Sequence, residues 1–316
     1  MTLDEVDAPE TRARPGSVSL VVNPTAGKGR ASGLLPQVAG RLRDAGHAVE
    51  IALSRTLNEA RHLVGQAAAS GADVAAVMGG DGMFHLGVNA VAEHRRRQPG
   101  STGPALGLIP AGTGNDLARG VGLDPRDVDA ATAVIAAGLT KPFDLVRVAD
   151  RYVGTVVATG FDALVNRRAN AMRRPRGSAR YTISALAELR TFQPLRYRLT
   201  TDGEVRELEA MLIAVGNTGS YGGGMQICPS ADPYDGWLDV TVIHPVNRLK
   251  LLQLLPQMRS GRFASDPCVE QFRARCVTVE GGAGVGYGDG EEMGSTPVTI
   301  ESCPAAIDVC VPPEAA

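Results

Sequence analysis

Apolar positions follow one rhythm up to residue 142 and a different one beyond it. In the first stretch, short β-branched runs alternate with segments of helical spacing. SVSLVVNP (17–24), AVEIALS (48–54), VAAVMGG (74–80) and ALGLIP (105–110) read as strands. Leu34, Leu35, Val38 and Leu42 mark a helix over 32–46 that Gly46 stops. Further helices are expected over 58–70, ended by Gly71, and over 84–94. Such alternation calls for right-handed crossovers and a parallel sheet. Open parallel sheets take their ligands beyond the carboxyl ends of the strands.

From 143 onward short strands dominate: FDLVRVA, YVGTVVATG, RYRLTT, ELEAMLIAVG, WLDVTVIH, ARCVTVEG and TPVTIES. Turn pairs such as Asp202-Gly203 and Asp235-Gly236 separate them, which predicts an antiparallel sandwich or barrel with a helix near 248–258. The expected organisation is a disordered tail over 1–16, an α/β domain over 17–142, a β-rich domain over 143–303, and a segment over 304–316 returning to the first domain. "LTKP" (139–142) reads as the linker.

Composition narrows the class. The 316 residues are 44% hydrophobic and 21% charged, as in a soluble globular protein. A net charge of −2 gives no global attraction to nucleic acid, and no nucleic-acid partner is expected. Five cysteines without paired spacing argue against a disulfide scaffold or zinc site and suit a reducing cytoplasm. The first 16 residues lack an apolar core, so they do not read as a signal peptide. No apolar run of 18 residues is present to span a membrane.

Three loops carry the candidate chemistry, all at the ends of parallel strands. NPTAGKGR (23–30) has the glycines and following helix of a phosphate cradle, though alone it equally suits a plain strand-to-helix turn. MGGDGMFHLGVNAV (78–91) brackets Asp81 with Gly79, Gly80 and Gly82. A close-approaching ligand would explain that bracket, with Asp81 holding Mg²⁺ or a nucleotide hydroxyl; a tight turn with Asp81 as helix cap is the alternative. AGTGND (111–116) adds Gly112, Thr113, Gly114, Asn115 and Asp116, with a hydroxyl for a phosphate oxygen and polar side chains to cap the next helix. Three such loops on one edge read as a nucleoside triphosphate site.

In order and spacing, these motifs resemble the diacylglycerol kinase catalytic family, soluble bacterial lipid kinases related to sphingosine and ceramide kinases. The resemblance runs through Asn23–Ala31, Gly79–Val91, Gly107–Asp116, Pro229–Asp239 and Asp289–Glu291. GGDG alone is shared with NAD kinases and phosphofructokinases; GTGND with a late DGE is specific to the lipid kinases. The resemblance implies a doubly wound, Rossmann-like N-terminal sheet and a C-terminal antiparallel β-sandwich. It implies ATP and Mg²⁺, and transfer of phosphate to the hydroxyl of diacylglycerol to give phosphatidic acid.

By the same resemblance, ATP would contact Asn23, Pro24, Thr25, Ala26 and Gly27, then Gly80 to Leu86 (Gly80, Asp81, Gly82, Met83, Phe84, His85, Leu86) with Gly79 beside them. Thr113 in the GTGND loop matches too, and either Ser54 or Thr56 supplies a hydroxyl. Asp289 and Glu291 are the base and its orienter, in either order, and Asp81 is the acid nearest the phosphates. Asp232, Asp235 and the Trp237 carbonyl match a structural Mg²⁺ site.

Met83, His85 and Leu86 depart from the family's threonine, asparagine and glutamate. His85 packs against the ribose or is a half-buried structural residue. Asp289-Gly290 is also a strong hairpin signal. Arg167, Arg168, Arg173, Arg174, Arg176 and Arg180 form a basic patch for an anionic membrane surface, with a solvated loop as the bland alternative. GSYGGGMQICP (219–229) lines the lipid cleft or is a flexible turn. A cytoplasmic enzyme peripheral to the inner face of the membrane is expected, assembled as a homodimer. Another lipid alcohol as acceptor, a non-catalytic nucleotide-binding module, and an NAD kinase-like enzyme are the competing readings.

Overall fold

A computed structural model describes residues 16–100, 103–172, 183, 184, 187, 188 and 192–315. Its first part alternates β1 (Ser17–Val22), α1 (Arg30–Asp44), β2 (Ala48–Leu53), α2 (Leu57–Ala69), β3 (Val74–Gly79), α3 (Asp81–Arg97) and β4 (Ala105–Pro110). Two shorter helices, α4 (Asp116–Gly120) and α5 (Val128–Ala137), lead to β5 (Thr140–Val148). The strands run parallel in the order β2-β1-β3-β4. β3 and β4 are buried at every position, which is why they read as unbroken apolar runs. α1 packs with α5 and α2 with α3. The chain reverses direction across the sheet between β1 and β3, so a crevice opens where the β1 and β3 loops part.

The second part comprises β6 (Arg151–Val153), β7 (Val156–Gly160), α6 (Phe161–Ala171), β8 (Leu195–Thr201), β9 (Glu204–Ala210) and β10 (Leu212–Gly216). It continues with β11 (Ser220–Tyr221), β12 (Met225–Gln226), β13 (Leu238–Ile243), α7 (Arg248–Gln257), β14 (Val269–Ala274) and β15 (Cys276–Gly281). β16 (Val285–Gly288), β17 (Glu291–Ser295) and the long β18 (Val298–Cys310) end it. One antiparallel sheet has the order β14-β13-β10-β7-β16-β17. It faces β8, β15 and β18 across a core of Val157, Leu199, Ile213, Val240, Val277 and Ile300. α6 and α7 cover its other side through Phe161, Val165, Leu251 and Leu254.

The strand reading is refined at three places. Residues 152–160 form two strands, because Gly154 and Thr155 turn their amides towards Asp289. ELEAMLIAVG also divides, with β9 in one sheet and β10 in the other, so the chain changes sheets at Met211. Thr140–Pro142, expected within the linker, begin β5, because β18 offers them a partner: Thr140 lies opposite Cys310 and Phe143 opposite Ile307.

β18 joins the two halves. Its first part pairs with β15, and Val309 lies beside Leu106 of β4. Ile307, Val309, Cys310 and Val311 are buried in the core of the first part, whereas Val298 and Ile300 belong to the core of the second. Ile307→Ala should therefore cost about 2–5 kcal/mol, the usual range for a truncated core isoleucine. Denaturant melts followed by a first-half and a second-half probe should shift together; a shift confined to the first half would contradict a shared strand.

Candidate active site

The crevice is built from three glycine loops that touch one another directly. Gly27, Lys28 and Gly29 are all left-handed, with φ of 59°, 62° and 93°, and lead into α1. A Cβ on Gly27 would overlap the Ala111 carbonyl oxygen. Gly80 and Gly112 meet backbone to backbone, and a Cβ on Gly114 would strike the Asp81 carboxylate. Protein packing thus accounts for most of the glycines that the sequence assigned to ligand approach. Gly82 differs: it is exposed, and a Cβ there would meet nothing within 4 Å. Thr25 and Thr113 are exposed on the same loops. The Asn23 side-chain oxygen accepts from Thr25 N (3.1 Å) and Oγ1 (2.8 Å), which fixes the first loop as an Asx turn.

Asp81 is engaged by the neighbouring GTGND loop. Its carboxylate accepts from the backbone N–H of Asn115 (2.7 Å) and Asp116 (2.5 Å). It therefore caps α4 from a neighbouring loop, and Asn115, at the N-cap position itself, makes no side-chain cap bond. Asn115 is left-handed (φ 59°) and spends its amide on the Gly112 and Pro125 carbonyls. Burial, then the charges of Asp116 and Asp289, push Asp81 up to about 6 despite its two backbone donors.

Asp289 sits at the turn between β16 and β17, left-handed at φ 50°. The hairpin reading of Asp289-Gly290 holds, and the tip turns the Asp289 carboxylate inward. Asp289 accepts from Gly154 N (3.0 Å), Thr155 N (3.2 Å), Thr155 Oγ1 (2.6 Å) and His85 Nδ1 (3.1 Å). Burial alone would push it up; His85, Thr155 and Gly154 outweigh that and hold it below the ordinary carboxylate range. His85 thus bridges α3 to the hairpin. Asn89, one turn on, completes the clasp: its amide donates to Tyr152 O (2.8 Å) and accepts from Tyr152 N (2.9 Å). Glu291 is exposed two residues beyond Asp289.

Asp116 is buried and reaches the other way. It accepts from Gly223 N (2.6 Å), Gly224 N (2.7 Å) and Arg119 Nη1 (2.9 Å). The glycine-rich 219–229 segment is therefore a docked hairpin, β11–β12, whose tip grips the GTGND loop. Tyr221 on that hairpin bonds the carboxyl of Asp162, which also accepts from Asn166 (2.9 Å); burial pushes Asp162 up to about 6. Sequence reasoning missed Thr155, Arg119 and Asp162, which belong to no motif, and assigned no role to Asn89 within the Gly79–Val91 stretch.

The remaining candidates divide. Ser54 is buried and donates to Val22 O (3.1 Å) at the end of β1, whereas Thr56 caps α2 by accepting from Glu59 N (3.2 Å). Met83, Phe84 and Leu86 are core side chains of the first part; the departures at Met83 and Leu86 place apolar groups in that core. Asp232 and Asp235 accept from Tyr234 N (3.1 Å) and Trp237 N (2.9 Å). Burial pushes Asp144 and Asp239 up, with the charges of Asp235 and Asp232 adding to it, and Asp239 Oδ2 is buried without a hydrogen-bond partner. An all-oxygen set suits a hard cation. Arg273 meets much of that need, 3.1 Å from Asp235 Oδ2 and 3.6 Å from Asp239 Oδ2, and among the described residues no three such groups close into a cage. Arg167 and Arg168 lie on α6, with Arg168 paired to Glu188 (2.5 Å); Arg173, Arg174, Arg176 and Arg180 lie outside the described residues.

Comparison with known proteins decides the family. Residues 17–148 match the diacylglycerol kinase catalytic domain, and 155–311 match the YegS C-terminal, NAD kinase beta sandwich-like domain. A diacylglycerol kinase of Mycobacterium tuberculosis is 40% identical over 94% of this chain and 96% of its own. This chain belongs to the diacylglycerol kinase family. A probable lipid kinase, YegS-like, of Pectobacterium atrosepticum is 30% identical over 91% of this chain and 94% of its own. The crystal structure of a diacylglycerol kinase from Bacillus anthracis shares the fold, with a TM-score of 0.77 and 24% identity over 96% of this chain and 100% of that one. The expected fold class stands. Membership makes the chain a lipid kinase, a phosphotransferase that uses ATP and acts on a lipid. Among the described residues no helix is long and apolar enough to cross a membrane.

The Asp81 environment gives a test of sign. A carboxyl raised from 3.8 to about 6 binds its proton more tightly folded than unfolded. The folded state then holds more protons than the unfolded one between those values, so stability falls as pH rises through that window. Asp81→Asn should flatten that descent in chelator-treated protein, read as denaturant midpoints at pH 4, 5, 6 and 7. Parallel profiles for both proteins would refute the account.

Proposed function

We propose that this protein transfers the γ-phosphoryl group of ATP to the free hydroxyl of diacylglycerol, giving phosphatidic acid. One observation carries the reading: the GGDG, GTGND and DGE carboxylates converge at one crevice, held by donors from both halves. The phosphates of ATP would lie over Asn23 to Gly29 and the open face at Gly82, where backbone N–H groups and two helix N-termini favour an anion. Thr25 and Thr113 supply exposed hydroxyls to phosphate oxygens, and Ser54 lies at the neighbouring strand end. Mg²⁺ accompanying ATP would neutralise phosphate charge, with Asp81 as the nearest acid; a second Mg²⁺ would rest on Asp232, Asp235 and the Trp237 carbonyl.

Phosphoryl transfer asks chiefly for positioning and charge neutralisation. The lipid hydroxyl must also lose its proton. We assign the base to Glu291 and the orienting role to Asp289. Asp289 already accepts four hydrogen bonds and is held below the ordinary range, which makes it a firm anchor and a poor base. Glu291 starts β17 with its carboxylate exposed, within reach of an acceptor seated at the hairpin. Basic residues of α6 and the segment after it would favour the anionic inner face of the membrane. The lipid would then enter from the β-rich half, and a homodimer is the assembly we expect.

Purified protein with labelled ATP and a panel of diacylglycerols, sphingoid bases and ceramide, resolved by thin-layer chromatography, should label diacylglycerol. Label on another lipid alcohol alone would replace the substrate. Glu291→Gln should lower kcat by about 10²–10⁴-fold, the usual worth of a general base, and leave the KM for ATP within about twofold. Retained turnover would move the base to Asp289.

The second cation has a test of its own. Added Mg²⁺ should raise the melting temperature of the wild type, and Asp235→Ala should abolish that rise. Indifference of the wild type to Mg²⁺ and EDTA would leave Arg273 as the charge partner of this acidic turn.

A further inference from the structure

α7 and the turn that follows it do not belong to the site described above. Leu251 and Leu254 bury the inner side of α7 in the core beneath the second sheet. The outer side exposes Leu249 (73%) and Leu252 (44%), one turn apart. Gln253 and Pro256 continue the same exposed stripe, which carries no charge. The outward leucines are therefore not needed to hold the helix in place. Large apolar side chains exposed side by side mark an interaction surface.

The surrounding charge is one-sided. Residues 245–265 contain Arg248, Lys250, Arg259 and Arg262 and no acid at all, in a chain of net charge −2. Lys250 is engaged with Asp266, but Arg248, Arg259 and Arg262 are exposed. An apolar stripe edged by exposed arginines, with the neighbouring Asp266 carboxylate neutralised by Lys250, complements a surface that is anionic outside and apolar beneath.

The same element is coupled to the active site. Gly261, in the turn after α7, packs on Pro229 and Gln226. Gln226 lies in β12, and the tip of the β11–β12 hairpin grips Asp116. One hairpin thus separates the exposed helix from the GTGND loop.

We propose that α7 and the Met258–Arg262 turn seat this protein on an anionic bilayer, with Leu249 and Leu252 in the acyl boundary and the arginines among the headgroups. The purpose of such seating rests on the diacylglycerol reading, since that substrate lies within a bilayer. The proposal is separate from the arginine patch of α6, which carries no exposed leucine pair. Leucine insertion and arginine contact act together, so removing either weakens seating.

Vesicle co-sedimentation tests this, using phosphatidylglycerol–phosphatidylcholine vesicles against pure phosphatidylcholine. Wild type should bind the anionic vesicles and lose binding in high salt, where the Debye length shrinks to about 3 Å at 1 M. Leu249→Ser with Leu252→Ser should weaken binding about tenfold or more, by the transfer free energy of two leucines. Arg248→Ser with Arg259→Ser and Arg262→Ser should also weaken it and reduce the salt dependence. Melting temperatures should not change, because all five side chains are exposed. Phosphorylation of bilayer diacylglycerol should fall with binding, while activity on a short-chain diacylglycerol in detergent holds.

Undiminished vesicle binding by the leucine variant overturns the proposal. So does a wild type that ignores anionic vesicles, or a leucine variant whose only change is loss of a dimer on gel filtration. Leucine-dependent vesicle binding without phosphorylation of any diacylglycerol would leave the seating intact and overturn the substrate reading instead.

Discussion

A carboxylate taken out of water must find donors, and this site withdraws three of them at one junction. Asp81, Asp116 and Asp289 each sit on one loop and are satisfied by amides or side chains of another. Asp81 ties GGDG to GTGND, Asp116 ties GTGND to the glycine hairpin, and Asp289 ties the late hairpin to residues 154–155 and to α3. The glycines follow from this arrangement, since loops that lend one another amides must come backbone to backbone. Removing any one donor strands a buried charge, so the loops hold their geometry collectively.

Much of the architecture was legible because it rests on local pattern. The four parallel strands, their helices and the later run of short strands declare themselves by period and by turn residues. Family motifs placed the three loops and DGE correctly on the chain. What stayed hidden depends on long-range pairing. Thr140–Pro142 look like a linker until β18 lies beside them, and Met211 looks like mid-strand until β9 and β10 part into different sheets.

The site shows the same division. Asp289 was legible as a residue of interest, yet its partners were not, because Gly154 and Thr155 are common residues in no motif. His85 read as a departure from the family pattern; its meaning lies more than two hundred positions away, in its bond to Asp289. Nothing local to GGDG signals that the Asp81 carboxylate is engaged by another loop. Only the backbone path of GTGND, which turns two N–H groups onto it, explains its burial.

Sharing β18 between two cores has a consequence for how the chain is made. Its neighbours in the sheet, β4 and β15, are synthesised first and have nothing to join them until β18 emerges. During that interval β4 presents an apolar, unpaired margin, the kind of surface that recruits strands from other nascent chains. A chain released before β18 would leave that margin permanently open. Cellular quality control would then meet a half-built sheet in place of a folded first domain.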